Sequence, residues 1–434
     1  MSNIFSIKNL KLEKKIKIFS WIIKIRKLGK IIFLIIQDSS GIIQSVIKDE
    51  KLIIKSKKIK NGDLLKIEGI IKKKDDFNKE VEIKKFEIIN KSKKIPFINK
   101  QIINEETRYK NRFLDLRLNL RSKNIIQKKS LFLINTRSYF NKKNFLEIET
   151  PILSQKSPEG SNCFLVPSNL KNKYYTLSQS PQIFKQLLMI SGFDKYYQIA
   201  KCFRNEDSRS NRQIEFLQLD VEKNFTTVSE LKKIIEKFLK IIIKKTFDYE
   251  IEIPFKSFKY KDSIKKYNTD KPNLSKELKK EFNFVWITDW PLFKYDNKKK
   301  KIDSFRHPFT SPKKKYINLL MENKIDFLKV TSESFDLICN GEEIISGGIR
   351  IYFSKLQKKI LEIIGYKEKE IKKYFGYFLN ALEFAAPPHG GFGMGIDRLL
   401  SVLLKTKNLK ELLTFPKNID GTCSLTGTPD YNEF

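Results

Sequence analysis

The sequence predicts an α+β fold with an antiparallel sheet, preceded by a separate small β-barrel. Roughly the first 90 residues are short β-branched runs separated by turn residues. From about residue 124 onward, helical and strand patterns follow one another without the regular alternation of a parallel βαβ sheet. A hydrophobic content of 40% in 434 residues is enough for a sizeable core, and this length predicts two or three domains.

Five strands are predicted in the N-terminal region, because runs rich in Ile and Val end there at Gly, Asn or Asp. They cover residues 16–25, 30–37, 42–48, 63–72 and 81–90. Five short strands in one small domain are typical of an OB-fold barrel, a common reader of single-stranded nucleic acid. We therefore predict an OB-fold domain over residues 1–98 and a hinge over residues 99–128.

The rest of the chain, residues 129–434, is predicted to form the α+β domain. Strands are predicted at residues 145–152, 174–177, 196–202, 215–222, 284–288, 335–339 and 347–353. Helices are predicted at residues 125–140, 181–191, 228–247, 354–364, 368–385 and 395–404.

The charge of the chain is strongly positive, with 86 Lys and Arg against 50 Asp and Glu and a net charge of +36. This excess predicts a polyanionic partner such as nucleic acid. AT-rich coding, which favours Lys, Ile, Asn and Phe, would give the same excess. The start of the chain lacks a signal-peptide pattern, and its apolar runs are far shorter than the roughly 20 residues that span a bilayer. We expect a cytoplasmic protein without a membrane partner.

Several classes of site are excluded by their missing motifs. The sequence has two His (His307 and His389) and four scattered Cys, without a CxxC or HExxH pattern. A structural zinc or zinc-protease site is therefore not expected, and the spread cysteines fit a reducing cytosol. The absence of GxxxxGK[ST] excludes a P-loop.

Charged and aromatic side chains line one face of a predicted hairpin. Arg204 and Glu206 are two residues apart and so share a face of the first strand. Phe216, Gln218 and Asp220 share a face of the second strand in the same way. A guanidinium, carboxylates, an aromatic ring and an amide on one face suit ligand binding. A half-exposed hairpin with surface ion pairs is the alternative.

Two further clusters combine acids or arginines with glycines. Asp336 and Glu343 suit Mg²⁺ bridged to phosphates, and Arg350 suits a planar carboxylate or phosphate. A surface hairpin with an Asn-Gly turn is the alternative there. The glycine-rich run 390–395 lets the backbone approach a ligand. Arg398 lies in the first turn of the following helix, where a phosphate would offset its unfavourable interaction with the helix dipole.

These segments resemble the three signature motifs of class II aminoacyl-tRNA synthetases. Residues 145–151 (FLEIETP) resemble the first motif, a dimer-interface element, while residues 203–220 and 393–398 (GMGIDR) resemble the second and third. Within this class the chain is similar to the bacterial-type aspartyl-tRNA synthetases over essentially its whole length. That narrower resemblance is carried by residues 157–160, 179–186, 212–216, 307–310 and 415–417, and by residues 21–44, which are similar to the family's anticodon-binding barrel.

The resemblance implies a two-step reaction. L-aspartate reacts with ATP to give aspartyl-adenylate and pyrophosphate, and the aspartyl group then passes to the 3′ end of tRNA(Asp). Mg²⁺ and a homodimer are implied as well. A carboxylate with a pKa near 4 is ionised at pH 7, so its attack needs no general base. An asparagine-charging relative, an enzyme that also charges tRNA(Asn), and an inert RNA-binding relative remain open alternatives.

The resemblance also implies roles for individual residues. Catalytic roles fall to Arg204, Arg398 and Glu343. ATP binding falls to Arg204, Asn205, Glu206, Gln213, Phe216, Glu343, Gly395, Ile396, Asp397 and Arg398. Aspartate binding falls to Glu159, Ser180, Gln182, Lys185, Arg204, Asp220, Arg306, His307 and Arg350, and Mg²⁺ binding to Asp336 and Glu343. Anticodon binding falls to Arg26, Phe33 and Gln44, although a core position for Phe33 is the alternative.

The sequence departs from the family pattern at several places. The loop 160–163 reads Gly-Ser-Asn-Cys where the family has Gly-Ala-Arg-Asp, so its charge pattern over the substrate differs. Arg306 precedes His307 where the family has two histidines, so it is expected to replace the first histidine near the aspartate or to turn away. The domain that bacterial members insert is expected to be absent between about residues 273 and 285. Leu28 stands where members of relaxed tRNA specificity often carry His, which hints at strict specificity.

Overall fold

The computed structural model describes residues 6–12, 14–74, 79–97, 104–155, 162–206, 212–278, 280–298 and 300–430. It divides into two compact units, Met1–Arg108 and Tyr109–Phe434. The division falls inside the segment predicted as the hinge. Within the described residues, no helix is both long and apolar enough to cross a membrane.

The N-terminal unit contains the five-stranded closed barrel that the sequence predicts. Its strands are β1 (Lys15–Leu28), β2 (Ile31–Gln37), β3 (Ile42–Ile47), β4 (Leu64–Lys73) and β5 (Lys79–Asn90). They pair in the order β1-β2-β3-β5-β4, which confirms the OB-fold prediction. Alternate side chains such as Ile18, Leu34 and Ile67 fill the interior, as the two-residue period of a strand requires.

One helix of this unit was not predicted from the sequence. Helix α1 (Glu50–Ser56) lies between β3 and β4 in the chain. Its N-terminus is capped by Asp49, whose carboxylate accepts a hydrogen bond of 2.9 Å from the backbone N–H of Leu52. With only seven residues it is too short to show a clear helical period.

The second part of the chain is built on an eight-stranded sheet. The strands of this part of the chain are β6 (Leu146–Glu147), β7 (Leu153–Ser154), β8 (Leu165–Pro167), β9 (Tyr174–Leu177), β10 (Lys195–Phe203), β11 (Glu215–Asn224), β12 (Lys256–Lys259), β13 (Phe284–Thr288), β14 (Phe293–Asp296), β15 (Lys301–Ser304), β16 (Ser334–Cys339), β17 (Glu342–Ile349) and β18 (His389–Gly395). Two small sheets, β14-β15 and β7-β9-β8, lie outside the main sheet. The main sheet has the order β12-β13-β16-β17-β18-β11-β10-β6. Its pairs are antiparallel except at the two edges, which confirms the predicted antiparallel α+β architecture.

Helices cover this sheet. They are α2 (Glu105–Lys110), α3 (Arg112–Leu118), α4 (Leu120–Lys142), α5 (Gln182–Ile190), α6 (Val228–Phe247), α7 (Tyr260–Tyr267), α8 (Ser275–Leu278), α9 (Ile317–Met321), α10 (Ser354–Ile363), α11 (Glu368–Leu382) and α12 (Ile396–Leu403). The largest apolar cluster joins Phe140 of α4 and Phe238 of α6 to Leu219 of β11 and Leu399 of α12. This cluster fixes β11 and β18, the two strands that carry most of the site.

The glycine-rich run before α12 differs from its sequence prediction. The sequence predicts no strand there, but His389–Gly395 is the regular strand β18, paired on both sides. Glycine is depleted in strands generally, so local propensity argues against this assignment. The neighbouring strands supply the pairing that the local sequence does not predict.

Candidate active site

A cleft of about 510 Å³ opens on one face of the main sheet. It brings together side chains from β11, β17, α5 and α12 and from the segments between them. Its lining includes Ser180, Gln182, Lys185, Arg204, Glu206, Gln213, Phe216, Asp220, Arg306, His307, Glu343, Arg350, Gly395, Asp397 and Arg398, all predicted from the sequence. Arg212, Gln218, Lys271 and Ser346 line the cleft as well.

The floor of the cleft is a row of residues that pair across four strands. Asp220 of β11 pairs with Gly393 of β18, which pairs with Ser346 of β17, which pairs with Asp336 of β16. Residues in register across a sheet project to the same face. The row therefore places the two acids at opposite ends of one floor, with small residues between them.

The glycines of β18 leave the space that the floor needs. A Cβ on Gly391 would lie 2.0 Å from the carbonyl O of Val221 and 2.2 Å from Oε2 of Glu222. A Cβ on Gly393 would lie 2.6 Å from Nε2 of Gln218. Polar side chains of β11 lie over the bare backbone of β18, so these glycines make room for neighbouring side chains.

Four buried charges form what we call the inner pocket, made of Lys185, Asp220, Glu222 and Arg350. Nζ of Lys185 lies 3.0 Å from Oδ1 of Asp220 and 3.3 Å from Oε2 of Glu222. Arg350 donates from Nε and Nη2 to the two oxygens of Glu222, at 2.8 and 3.2 Å. Each of the four is at most 1% exposed, so the two cations and two carboxylates compensate one another away from water.

Glu222 was not among the residues predicted for the site, although it joins both cations. It lies two residues beyond Asp220 on β11, and the same alternation that grouped Phe216, Gln218 and Asp220 extends to it. Burial raises the pKa of Glu222, but the charges of Arg350 and Lys185 outweigh burial and lower that pKa to about 2. Glu222 is therefore ionised and fixes the position of both cations.

His307 lies at the edge of the inner pocket, with a ring nitrogen 3.3 Å from Nη1 of Arg350. Burial, followed by the charges of Arg350 and Lys185, lowers the pKa of His307 to about 3. The imidazole is neutral at physiological pH and adds no charge to the pocket.

Gln182 points toward the same pocket from the first turn of α5. It lies three residues before Lys185, so both side chains share one helix face. Its Nε2 is buried and has no hydrogen-bond partner among the residues that the structure describes. A buried amide nitrogen in this position suits a bound ligand.

The other end of the cleft carries the residues predicted to bind ATP. The guanidinium of Arg204 lies 5.1 Å from the ring centroid of Phe216. Glu206 accepts a hydrogen bond of 2.8 Å from Arg212, and Arg398 donates one of 2.9 Å to the backbone carbonyl of Glu343. An aromatic face beside two arginines can accept a base and its phosphates.

Some residues predicted for ATP lie elsewhere or have other partners. Ile396 is fully buried in the main core, and Asn205 faces a neighbouring hollow. The carboxylate of Asp397 pairs with Lys129. The amide of Gln213 accepts from the backbone N–H of Lys417 at 3.1 Å, which ties the C-terminal segment to the cleft wall. Glu159, predicted for aspartate binding, lies outside the described residues.

The two acids predicted to bind Mg²⁺, Asp336 and Glu343, are named here the outer acidic pair. Arg306 pairs with both carboxylates, at 3.1 Å from Glu343 and in direct contact with Asp336. Nζ of Lys271 lies 3.5 Å from Glu343. Burial raises the pKa of Glu343, but Arg306, Lys271 and Arg398 outweigh it and lower that pKa. The lowered pKa keeps Glu343 ionised, and both carboxylates of the pair are already paired with Arg306, so these residues do not fit a protein-held Mg²⁺ as they are arranged.

The three residues predicted to bind the anticodon lie on the barrel. Arg26 of β1 pairs with Phe33 of β2, and Gln44 of β3 pairs with Ile35. Phe33 is half-buried and outside the barrel core, whereas its neighbours Ile32 and Leu34 point inward. Phe33 therefore presents its ring on the outer surface beside an exposed arginine, which is the arrangement that base stacking needs.

Comparison with known proteins gives a separate family match for each of the two parts of the chain. Residues 104–419 match the family of class II tRNA synthetases (D, K and N), and residues 16–89 match the OB-fold nucleic acid binding domain. An "Aspartate--tRNA(Asp/Asn) ligase" of Dictyoglomus turgidum is 33% identical, covering 96% of this chain and 93% of its own length. An "Aspartate--tRNA ligase" of Malacoplasma penetrans is 30% identical, with coverage of 98% and 95%.

Solved structures agree on the fold. The asparaginyl-tRNA synthetase of Pyrococcus horikoshii, complexed with asparaginyl-adenylate, has a TM-score of 0.79 at 24% identity and covers 96% of this chain and 98% of its own. A putative aspartyl-tRNA synthetase of Leishmania major has a TM-score of 0.79 at 19% identity. The cleft, the barrel and these matches agree, and the chain belongs to the class II tRNA synthetases of the aspartate, lysine and asparagine group.

Proposed function

We propose that this chain is an aspartate–tRNA ligase, which activates L-aspartate with ATP and transfers it to the 3′ end of tRNA(Asp). The observation that carries the proposal is the inner pocket, where Glu222 holds Lys185 and Arg350 beside the residues suited to ATP. The names of the 33% and 30% identical relatives support the same activity.

Charge complementarity is the basis for choosing aspartate. The inner pocket is neutral, and Arg204 adds one positive charge at the ATP end, while His307 adds none. Free aspartate carries a net charge of −1 and cancels this excess. Asparagine is neutral overall and would turn amide N–H donors toward Lys185 and Arg350, whose side chains can only donate, which is the kind of mismatch that gives strong discrimination.

The first step follows from these positions. The side-chain carboxylate of the substrate lies against Lys185 and Arg350, and the α-ammonium lies near Asp220. The α-carboxylate oxygen then forms a bond to the α-phosphorus, while the bond from that phosphorus to the leaving pyrophosphate oxygen breaks. Arg204 offsets the charge that develops on the phosphoryl oxygens, and no side chain needs to take a proton.

The barrel supplies the tRNA contact in this proposal. Phe33 stacks on an anticodon base, while Arg26 and Gln44 offer hydrogen-bond donors on the same outer surface. Replacing Phe33 by Ala should weaken tRNA(Asp) binding by about 1–3 kcal/mol, the usual value of one stacked base. Because Phe33 is not a core residue, the thermal stability should change little, whereas the matched change Leu34→Ala should cost about 2–5 kcal/mol.

The assembly proposed here is a homodimer formed through the first motif. Large apolar side chains are exposed together on this part of the chain, with Ile134 at 60%, Leu146 at 52% and Leu153 at 49%. Exposed apolar residues that cluster in this way mark interfaces. Light scattering at several concentrations tests the dimer, and Ile134→Glu should shift it toward monomer.

The missing inserted domain is a further part of the proposal. The alignment with the Dictyoglomus turgidum relative runs over 557 positions, against 434 residues in this chain. That relative therefore carries more than about 100 residues that this chain lacks. We place the difference between residues 273 and 285, where a short connection joins α7 to β13.

A second candidate is an enzyme that also charges tRNA(Asn), which the name of the 33% identical relative favours. Leu28, 71% exposed at the end of β1, is the residue that hints at strict specificity. Aminoacylation of separated tRNA(Asp) and tRNA(Asn) with aspartate distinguishes the two. Charging of tRNA(Asp) alone supports the proposal, charging of both supports the second candidate, and charging of neither contradicts both and favours an inert relative.

A further inference from the structure

We propose that the guanidinium of Arg306 is a built-in cation that takes the place of a protein-held divalent ion on the outer acidic pair. This inference deepens the proposed function, because it concerns the phosphate end of the same cleft. Its test measures metal binding without any substrate, so its outcome is independent of whether the chain charges tRNA.

The position of Arg306 is the first support. One of its nitrogens lies 3.1 Å from Glu343 and another contacts Asp336, so the guanidinium bridges the two carboxylates. The guanidinium also lies over Trp290, with its carbon 4.0 Å from the ring centroid. Trp290 is fully buried, which gives the arginine a fixed support on its second side.

The sheet explains why the two carboxylates meet at one cation. Asp336 lies two residues before Ile338 on β16, and Glu343 of β17 pairs with Ile338. Both acids therefore project to the same face. Asp336 is fully buried, so its carboxylate needs the guanidinium of Arg306 as its counter-charge, although its Oδ1 has no hydrogen-bond partner among the described residues.

The charge at this end of the cleft argues against a second cation. Two carboxylates face Arg306 and Lys271, while Arg398 donates to the backbone carbonyl of Glu343. The local charge is positive before any ligand enters. A divalent ion would be repelled by three cations, and no described group of three His, Cys, Asp or Glu surrounds a possible ion. Divalent ions accordingly enter this cleft with the nucleotide phosphates and are not held by the acidic pair.

Replacing Arg306 by His makes the inference testable, because it removes the fixed cation and adds a third metal donor to the pair. Free Mn²⁺ is measured by its paramagnetic resonance signal in titrations of the full chain without ATP. The wild-type protein should leave Mn²⁺ free, while Arg306→His should bind one equivalent at least about tenfold more tightly, a difference of 1.4 kcal/mol or more.

Three control variants test whether the gain in Mn²⁺ binding depends on the loss of the positive charge and on the acidic pair. Arg306→Lys keeps the positive charge and should not bind the ion. Arg306→His combined with Asp336→Asn should lose the gain. Arg212→Ala removes the arginine partner of Glu206 on the same cleft, and a single carboxylate should not bind Mn²⁺ measurably.

Two results would overturn the inference. The first is tight Mn²⁺ binding by the wild-type protein that Asp336→Asn removes, since the pair would then hold an ion beside Arg306. The second is a folded Arg306→His protein, as judged by circular dichroism, that binds Mn²⁺ no better than wild type. With ATP present, the account predicts one more bound Mn²⁺ per chain in Arg306→His than in wild type.

Discussion

The inner pocket and the outer acidic pair hold similar charged groups on one sheet face, but they are built differently. In the inner pocket, two cations and two carboxylates are each at most 1% exposed and compensate one another. At the outer acidic pair, Arg306 is 23% exposed, Glu343 is 18% exposed, and cations outnumber acids. Buried charges that neutralise one another hold their side chains in fixed positions for a small ligand. A positive surface that is partly exposed to water attracts phosphates without fixing their positions closely.

The largest expected effect comes from breaking the inner pocket at Glu222. Glu222→Gln leaves Arg350 without its compensating charge, so we expect a loss of about 3 kcal/mol in the free energy of unfolding. Urea unfolding at pH 7 measures it. The matched change Glu215→Gln removes the exposed pair with Lys201 and should cost less than about 1 kcal/mol. If the two variants lost the same free energy of unfolding, the proposed difference between buried and exposed charges would be contradicted.

The pH dependence of this effect has a definite sign. The pKa of Glu222 is about 2 in the folded protein, below its ordinary value of 4.5. Its contribution to stability is therefore fully present above pH 4.5 and is lost as the pH falls toward 2. The stability difference between wild type and Glu222→Gln should shrink over that range, and a difference that grows on acidification would contradict the assignment.

A smaller effect is expected at Gly391, which clears the space for Glu222. Gly391→Ala places a Cβ 2.0 Å from the carbonyl O of Val221 and 2.2 Å from Oε2 of Glu222, so the strand backbone and the side chain must both move and a loss of about 1–3 kcal/mol is expected. The KM for aspartate should rise while ATP binding persists. Gly376 of α11 provides the matched control, since its nearest contact would be 3.9 Å away and alanine should stabilise the helix by about 0.5–1 kcal/mol.

The smallest effect concerns His307, beside the inner pocket. Its pKa is about 3 in the folded protein, below its ordinary value of 6.5. Below pH 6.5 the unfolded chain therefore binds a proton that the folded chain does not bind. Stability should therefore fall as the pH drops below 6.5, by at most about 1.36 kcal/mol per pH unit, which is the limit for the uptake of one proton. Thermal unfolding from about pH 7 to 5 should show a weaker pH dependence in His307→Gln than in wild type.

Much of the fold follows from local sequence patterns. The helix at Val228–Phe247 agrees with its predicted bounds, because its apolar stripe is long and Thr227 and Glu230 form a capping box at its start. The five barrel strands agree within a few residues, since their β-branched runs end at turn residues. A bulge between Ile22 and Lys24 shifts the alternation of β1, and no local pattern predicts it.

The site was less predictable where contacts between residues distant in sequence determine which side chains meet. Residues two apart on β11 could be grouped from sequence, and that grouping could have included Glu222. The strand β18 could not be predicted, because its glycines are required by side chains on β11 that are more than 160 residues away in sequence. The partner of Arg306 could not be predicted either, since two acids on different strands and Trp290 together decide where its guanidinium lies.

The proposal that Lys185 and Arg350 of the inner pocket select aspartate can be tested by ATP–pyrophosphate exchange with aspartate and with asparagine. We expect aspartate to support exchange with a kcat/KM at least about 1,000-fold above that of asparagine, as is usual when donors of the site are left without acceptors. Comparable values for the two amino acids, or a preference for asparagine, would contradict it.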